Sequence, residues 1–204
     1  MLKQAKTFVQ AIAAGLMISI GGTVYMICPN KLLGAFMFAL GLFMVCVWKF
    51  NLFTGKIGYV VEDKSTWKTL AQIWIGNLCG ALLAGYAIRA TRMFEKMSEA
   101  VTASVEAKLG DAWYSTFLLA IFCGMLMFLA VDTFKTVESG FMKTVAVILP
   151  IAVFIVAGFN HCIADMYYIS AANAWSLDAA VYVLIVTAGN AVGSVIIAFF
   201  KKFR

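Results

Sequence analysis

Uncharged apolar runs succeed one another along nearly the whole chain: Phe8 to Ile27, Leu32 to Trp48, Thr69 to Ile88, Ala112 to Val131, Thr144 to Phe159 and Ala179 to Phe200. Polar residues gather at the joints. Several runs reach the ~20 residues that an α-helix needs to cross a ~30 Å hydrocarbon core. The second and fifth stop short, at Asn51 and Asn160, and a further apolar stretch follows each stop. The pattern predicts an all-α membrane protein of six transmembrane helices, with helices 2 and 5 broken. Unwound backbone in hydrocarbon is too costly unless it lines a cavity or is buried in protein. Paired breaks therefore point to a translocation path, and the chain reads as a channel or transporter.

The two halves match. Asn51 and Asn160 lie 109 positions apart, as do Gly15 in the first run and Gly124 in the fourth. Gly76-Asn77-Leu78-Cys79-Gly80-Ala81 answers Gly189-Asn190-Ala191-Val192-Gly193-Ser194 at an offset of 113. Three spans per half start the halves on opposite sides of the bilayer, which makes a 3+3 inverted repeat. The whole chain, 1–204, forms one transmembrane channel domain, with repeat 1 at about 1–88 and repeat 2 at about 112–204. Small residues four apart let helix backbones approach, and Asn bonds across to a neighbouring helix. Packing is accordingly preferred over substrate contact for Asn77 and Asn190. The polar stretch from Arg89 to Asp111 predicts a short external helix or loop.

Composition agrees: 63% of residues are hydrophobic, 13% are charged, and mean hydropathy is +0.93. The first run is too long for a signal-peptide core and lacks a convincing cleavage site. The net charge of +6 is a matter of topology rather than of nucleic acid. Lys31, Arg89, Arg92, Lys96 and Lys108 fall on one side, and the other eleven Lys and Arg fall with both termini. By the positive-inside rule the termini are cytoplasmic, in a multi-pass protein of the cell membrane that also contacts anionic lipid. Cys28, Cys46, Cys79, Cys123 and Cys162 include no CxxC pair, so neither a disulfide framework nor a metal site is indicated.

The chemistry sits at the breaks. Asn51-Leu52-Phe53-Thr54-Gly55 combines turn-favouring residues with two bulky side chains able to plug a narrow pore, and one hydroxyl. The plain alternative is an ordinary span end with its cap. His161, the chain's only His, lies at the second break. Ionisable groups at membrane depth are functional candidates because burying them is costly. A neutral imidazole there can donate a hydrogen bond to a small anion or pass it a proton. Asp165 either orients His161 or reaches the outer mouth.

Phe50-Asn51-Leu52-Phe53-Thr54-Gly55, together with Gly158-Phe159-Asn160-His161-Cys162-Ile163-Ala164-Asp165-Met166, resembles the paired signature of the formate/nitrite transporter family. Lys6-Thr7-Phe8 and Lys143 also resemble family positions. The resemblance implies an aquaporin-like arrangement of helices, a homopentamer and one pore per protomer. It implies that His161, Thr54 and Asn160 line the pore and contact substrate, with Thr54 the hydrogen-bonding partner of His161. Leu52, Phe53, Phe38, Leu42 and Phe154 would form the constrictions. Lys6 and Lys143 would attract anions at the vestibules. Many members carry Glu where this chain has Asn160, and Asn where it has Asp165.

The expected function is passive or proton-coupled movement of small monovalent weak-acid anions (formate, nitrite or hydrosulfide) across the cytoplasmic membrane. Protons are the partner ion; no cofactor and no enzymatic activity are expected. A water or small neutral solute facilitator would share the architecture, but the paired Asn-Pro-Ala loops and selectivity Arg of that class are missing. A membrane enzyme would need a second titratable group or a metal cluster; Asp165 beside His161 offers one such pair without a metal.

Overall fold

The computed structural model describes residues 2–203. It contains eight α-helices and two 3₁₀ turns, with no strand among the described residues. The first half of the chain holds α1 (Leu2–Ile27), α2 (Lys31–Val47), the turns Ile57–Val61 and Lys64–Thr66, and α3 (Trp67–Arg89). A surface helix, α4 (Phe94–Leu109), leads to the second half: α5 (Trp113–Thr136), α6 (Gly140–Val156), α7 (Cys162–Ala172) and α8 (Leu177–Lys201). Four helices are long and apolar enough to cross a membrane; α2 and α6, the two expected to be broken, are the shorter apolar ones.

The offset of 109 runs through the local chemistry of both short helices. Asn30 caps α2 by accepting from the Leu33 N–H, and Ser139 caps α6 by accepting from Met142. These side chains satisfy backbone donors that a helix start leaves orphaned. At the other ends, the Phe50 N–H reaches back to the Val45 carbonyl and the Phe159 N–H to Phe154, at 2.9 and 3.0 Å. Such a closing bond needs a residue in the left-handed region just before it. In the second half that residue is Gly158, φ +71°; in the first it is Lys49, φ +56°.

The halves diverge after their breaks. The apolar stretch after Asn160 forms an eleven-residue α-helix, α7, buried on nearly every side. The stretch after Asn51 makes only 3₁₀ turns. Gly58 and the β-branched Val60 and Val61 disfavour helix there, and the charged Glu62, Asp63 and Lys64 follow at once. The polar segment from Arg89 to Asp111 is mostly helical, as one of its two expected forms. Met97, Val101 and Val105 make one buried stripe on α4, four residues apart, which lays it against α7 and α1.

Asn77 and Asn190 hold the breaks in place. Asn77 Nδ2 donates to the carbonyls of Ala11 and Asn51, while its Oδ1 accepts from the Phe53 N–H, all at 2.8–2.9 Å. Asn190 does the same for Ala120, Asn160 and Cys162. Every partner is displaced by 109. Without these amides the unwound backbone would lie unpaired at the core of the molecule, which membrane depth does not tolerate. Close approach makes the reach possible: a methyl group on Gly15 would strike the Asn77 carbonyl, and one on Gly124 the Asn190 carbonyl.

Pairing between halves completes the bundle: α2 packs on α6, α3 on α7, and the first 3₁₀ turn on α8. At the end carrying both termini, Gln72 Nε2 donates to the Gln4 carbonyl, and Lys201 bridges Glu62 and Asp132 at 2.8 Å each. The outer surface is apolar, with Leu40, Leu83, Leu118, Val153 and Leu184 about half exposed or more. Such a surface suits hydrocarbon or a second protomer rather than water.

Candidate functional site

Two cavities enter the bundle. One, of about 490 Å³, opens near the termini and is lined by Val45, Cys46, Lys49, Phe50, Leu52, Gly55, Lys56, Val131, Phe134, Lys135 and Lys143. The other, of about 300 Å³, lies under α4, and Lys108, Phe154, Asn160, His161, Asp165 and Tyr168 are among its walls. Leu52 borders the first and His161 the second. Between them stands Thr54, fully buried, with its Oγ1 3.0 Å from His161 Nε2. The two broken segments, 107 residues apart in sequence, thus meet through this pair.

Backbone geometry sets the state of His161. As the residue before α7 it accepts the Ala164 N–H on Nδ1, at 3.2 Å. A backbone amide can only donate, so Nδ1 carries no proton and the imidazole is neutral with its proton on Nε2. Nε2–H therefore donates to Thr54 Oγ1. The Phe154 ring lies 6.0 Å from the imidazole, and Phe38 meets Phe154 edge-on at 5.6 Å. Phe38, Leu42, Leu52 and Phe154 are each at most 2% exposed, and Phe53 is 7% exposed. Apolar side chains thus pack about the Thr54–His161 pair, and His161 also borders the cavity that Lys108, Asn160 and Asp165 line.

The other expected residues separate. Asn160 is buried beside the far cavity, its Nδ2 on the Thr116 carbonyl at 3.5 Å. Lys143 lines the cavity near the termini, its Nζ 5.7 Å from the Phe134 ring. Lys6 is exposed on the first turns of α1 and borders neither cavity. Asp165 is not among the hydrogen-bond partners of the imidazole, which are Thr54 and Ala164. Its carboxylate takes Lys108 Nζ at 3.1 Å and the Tyr182 hydroxyl at 3.0 Å.

Lys108 is the site residue that the linear reading passed over. It comes from the last turn of α4, donates to Asn160 Oδ1 at 2.6 Å, and pairs with Asp165 above His161. Two signals pointed to it. A carboxylate within an apolar run demands a cation, and the stripe Met97-Val101-Val105 lays the next turn of α4 on the bundle.

A family model for "Formate/nitrite transporter" matches residues 1–202. The chain belongs to this family. Among curated formate/nitrite transporter relatives, "Formate channel FocA" of Escherichia coli strain K12 is 32% identical, over 80% of this chain and 65% of its own length. The chain thus spans a little under two thirds of that relative. "Probable formate transporter" of Methanothermobacter thermautotrophicus is 26% identical, covering 94% of this chain and 85% of the relative. The solved structure "Pentameric formate channel with formate bound" superposes with a TM-score of 0.85 at 26% identity, covering 98% of this chain and 96% of its own. An "FNT family ion channel" at 21% identity and TM-score 0.80 shares the formate/nitrite transporter fold. With its apolar helices, the chain is a membrane protein of this family.

Proposed function

We propose that the chain forms a pore through which a small monovalent weak acid crosses the cell membrane together with a proton. Formate is the first candidate; nitrite and hydrosulfide share its chemistry. The observation that carries this reading is the buried Thr54–His161 hydrogen bond, which joins two cavities across an apolar plug. The relatives named as formate channels and transporters, and the related structure holding formate, support the substrate class.

The geometry suggests how passage works. On the side of the termini Lys143 raises the local concentration of anions, while on the other side Lys108 shares its charge with Asp165. Carrying a bare charge to mid-membrane costs at least ~2.5 kcal/mol. The plug of Phe38, Leu42, Leu52, Phe53 and Phe154 imposes that cost, and it raises the acid's own pKa by desolvation. The anion therefore picks up a proton as it enters and crosses as the neutral acid. His161, neutral and with its proton on Nε2, offers the hydrogen bond that Thr54 takes at rest. Giving that proton away outright would leave an imidazolate, so water at the cavity supplies the proton and His161 positions the acid. We place both termini in the cytoplasm and five copies in the assembly, in line with the pentameric relative.

Flux into proteoliposomes tests the reading, with formate, nitrite, hydrosulfide and lactate assayed in parallel. Formate uptake should rise as pH falls and should carry a proton, seen as alkalinisation outside. Water permeability with no anion uptake would leave a neutral-solute facilitator, and conversion of any anion to product would leave an enzyme.

A further inference from the structure

The cavity beside the termini is larger and more basic than a formate-sized anion needs. Four lysines line its 490 Å³: Lys49, Lys56, Lys135 and Lys143. No carboxylate is among its lining residues, and among the described residues none of the four lysines forms an ion pair. The nearby acids are spent elsewhere, since Asp132 and Glu62 both pair with Lys201. Lys135 Nζ rests on the Tyr59 ring, 4.0 Å from its centroid, and Lys143 leans on Phe134. Four like charges around one concavity repel each other until an anion neutralises them.

Lys49 adds an independent sign. It holds a left-handed backbone, φ +56°, at the position whose repeat counterpart is Gly158. Glycine takes that conformation without strain, whereas a side chain there brings Cβ too close to the following carbonyl oxygen. Repeat 1 bears the strain and gains an ammonium at the cavity wall.

We infer that this cavity binds a multivalent phosphate-bearing anion, and that its occupant closes the pore from the side of the termini. Lysine recognises phosphate as a point charge, and several together suit an ion with several charges. The volume lies within the 300–1,000 Å³ usual for ligand sites. Val45, Phe50, Leu52 and Phe134 give one wall an apolar surface for an organic portion. Leu52 belongs both to this wall and to the plug, two residues from Thr54, so a bound polyanion sits across the route of the smaller one. The closing half of this inference rests on the pore reading; the binding half does not.

Inorganic pyrophosphate is the probe, titrated by calorimetry into the purified protein in phosphatidylcholine nanodiscs. Saturable binding is expected, weakening as salt rises. The Lys49→Gln/Lys143→Gln protein should bind at least tenfold more weakly, while Lys68→Gln, a lysine outside the cavity, should bind like the parent. In phosphatidylcholine vesicles, pyrophosphate on the cavity side should cut formate flux at least fivefold for the parent and not for the double variant. No saturable binding, equal binding by the double variant, or full flux at saturating pyrophosphate would each overturn the inference. A protein that moves no formate yet binds pyrophosphate through Lys49 and Lys143 would refute the pore and the closure together, and leave the site standing. A repeat with phosphatidylglycerol in the bilayer separates two sources of phosphate. Pyrophosphate binding abolished by that lipid assigns the cavity to lipid headgroups and overturns the soluble occupant.

Discussion

Both ring nitrogens of His161 are engaged, one by the Ala164 amide and one by Thr54, and this fixes what each replacement does. Asn is a good helix cap, so His161→Asn keeps α7 anchored but leaves Thr54 without its donor. Formate flux should fall markedly while its pH profile keeps the parent's shape, because the acid and not the imidazole titrates. A profile shifted by a unit or more would instead make His161 a proton relay. Thr54→Ala removes one neutral hydrogen bond worth about 0.5–1.5 kcal/mol, which is roughly a two- to tenfold loss of flux. Lys108 and Asp165 are not equivalent partners. Lys108→Gln strands a buried carboxylate, at a cost of about 3–5 kcal/mol in stability, and flux should drop. Asp165→Asn strands a cation beside a cavity that water reaches; half-saturation for formate should fall, most clearly at low salt. Thermal unfolding in detergent and flux titrations would show the asymmetry, and equal effects on both measures would refute it.

At the scale of elements, one buried amide makes two backbone bonds to each broken segment. Asn190→Ala removes three bonds at once. At the ~0.6 kcal/mol averaged for bonds between membrane helices, this costs about 2 kcal/mol. Released from its tether, Cys162, now 0% exposed, should become reactive to small thiol reagents. Asn77→Ala should cost as much but leave Cys162 protected. Much of this scaffold was legible in the chain. The shortened second and fifth runs gave the breaks, and the matched Gly-Asn patterns gave the two amides, with packing the preferred reading. The partner of Asp165 was not legible, because Lys108 arrives on a helix whose sequence shows only that it is amphipathic. Nor did periodicity show that the stretch after Asn51 would stay in 3₁₀ turns while its counterpart became α7. Short apolar segments carry no signal that separates the two, and the difference was set by Gly58 and the charges from Glu62 onward.

For the whole molecule, the apolar exterior is the governing fact. Large side chains such as Leu83, Leu118 and Leu184 point outward from α3, α5 and α8, so extraction from the bilayer must leave detergent or a neighbour in their place. Native mass measurement in mild detergent should give five copies of the 22.2 kDa chain. A monomer there would remove the pentamer and leave the pore within each protomer. The lysine-rich end should face the cytoplasm, which a reporter fused at each terminus would read.

The twin asparagine tethers have one more consequence. Asn77 binds groups from the first half of the chain and Asn190 groups from the second, so neither tether borrows a partner from the other half. The covalent link through α4 supplies Lys108 but ties neither tether. Cut at the exposed Thr91, the protein should behave as two complementing fragments: made in the same cell as separate polypeptides, 1–91 and 92–204 should find each other in the bilayer and regain conduction. Either fragment alone would present half a gate, with Thr54 or His161 facing nothing.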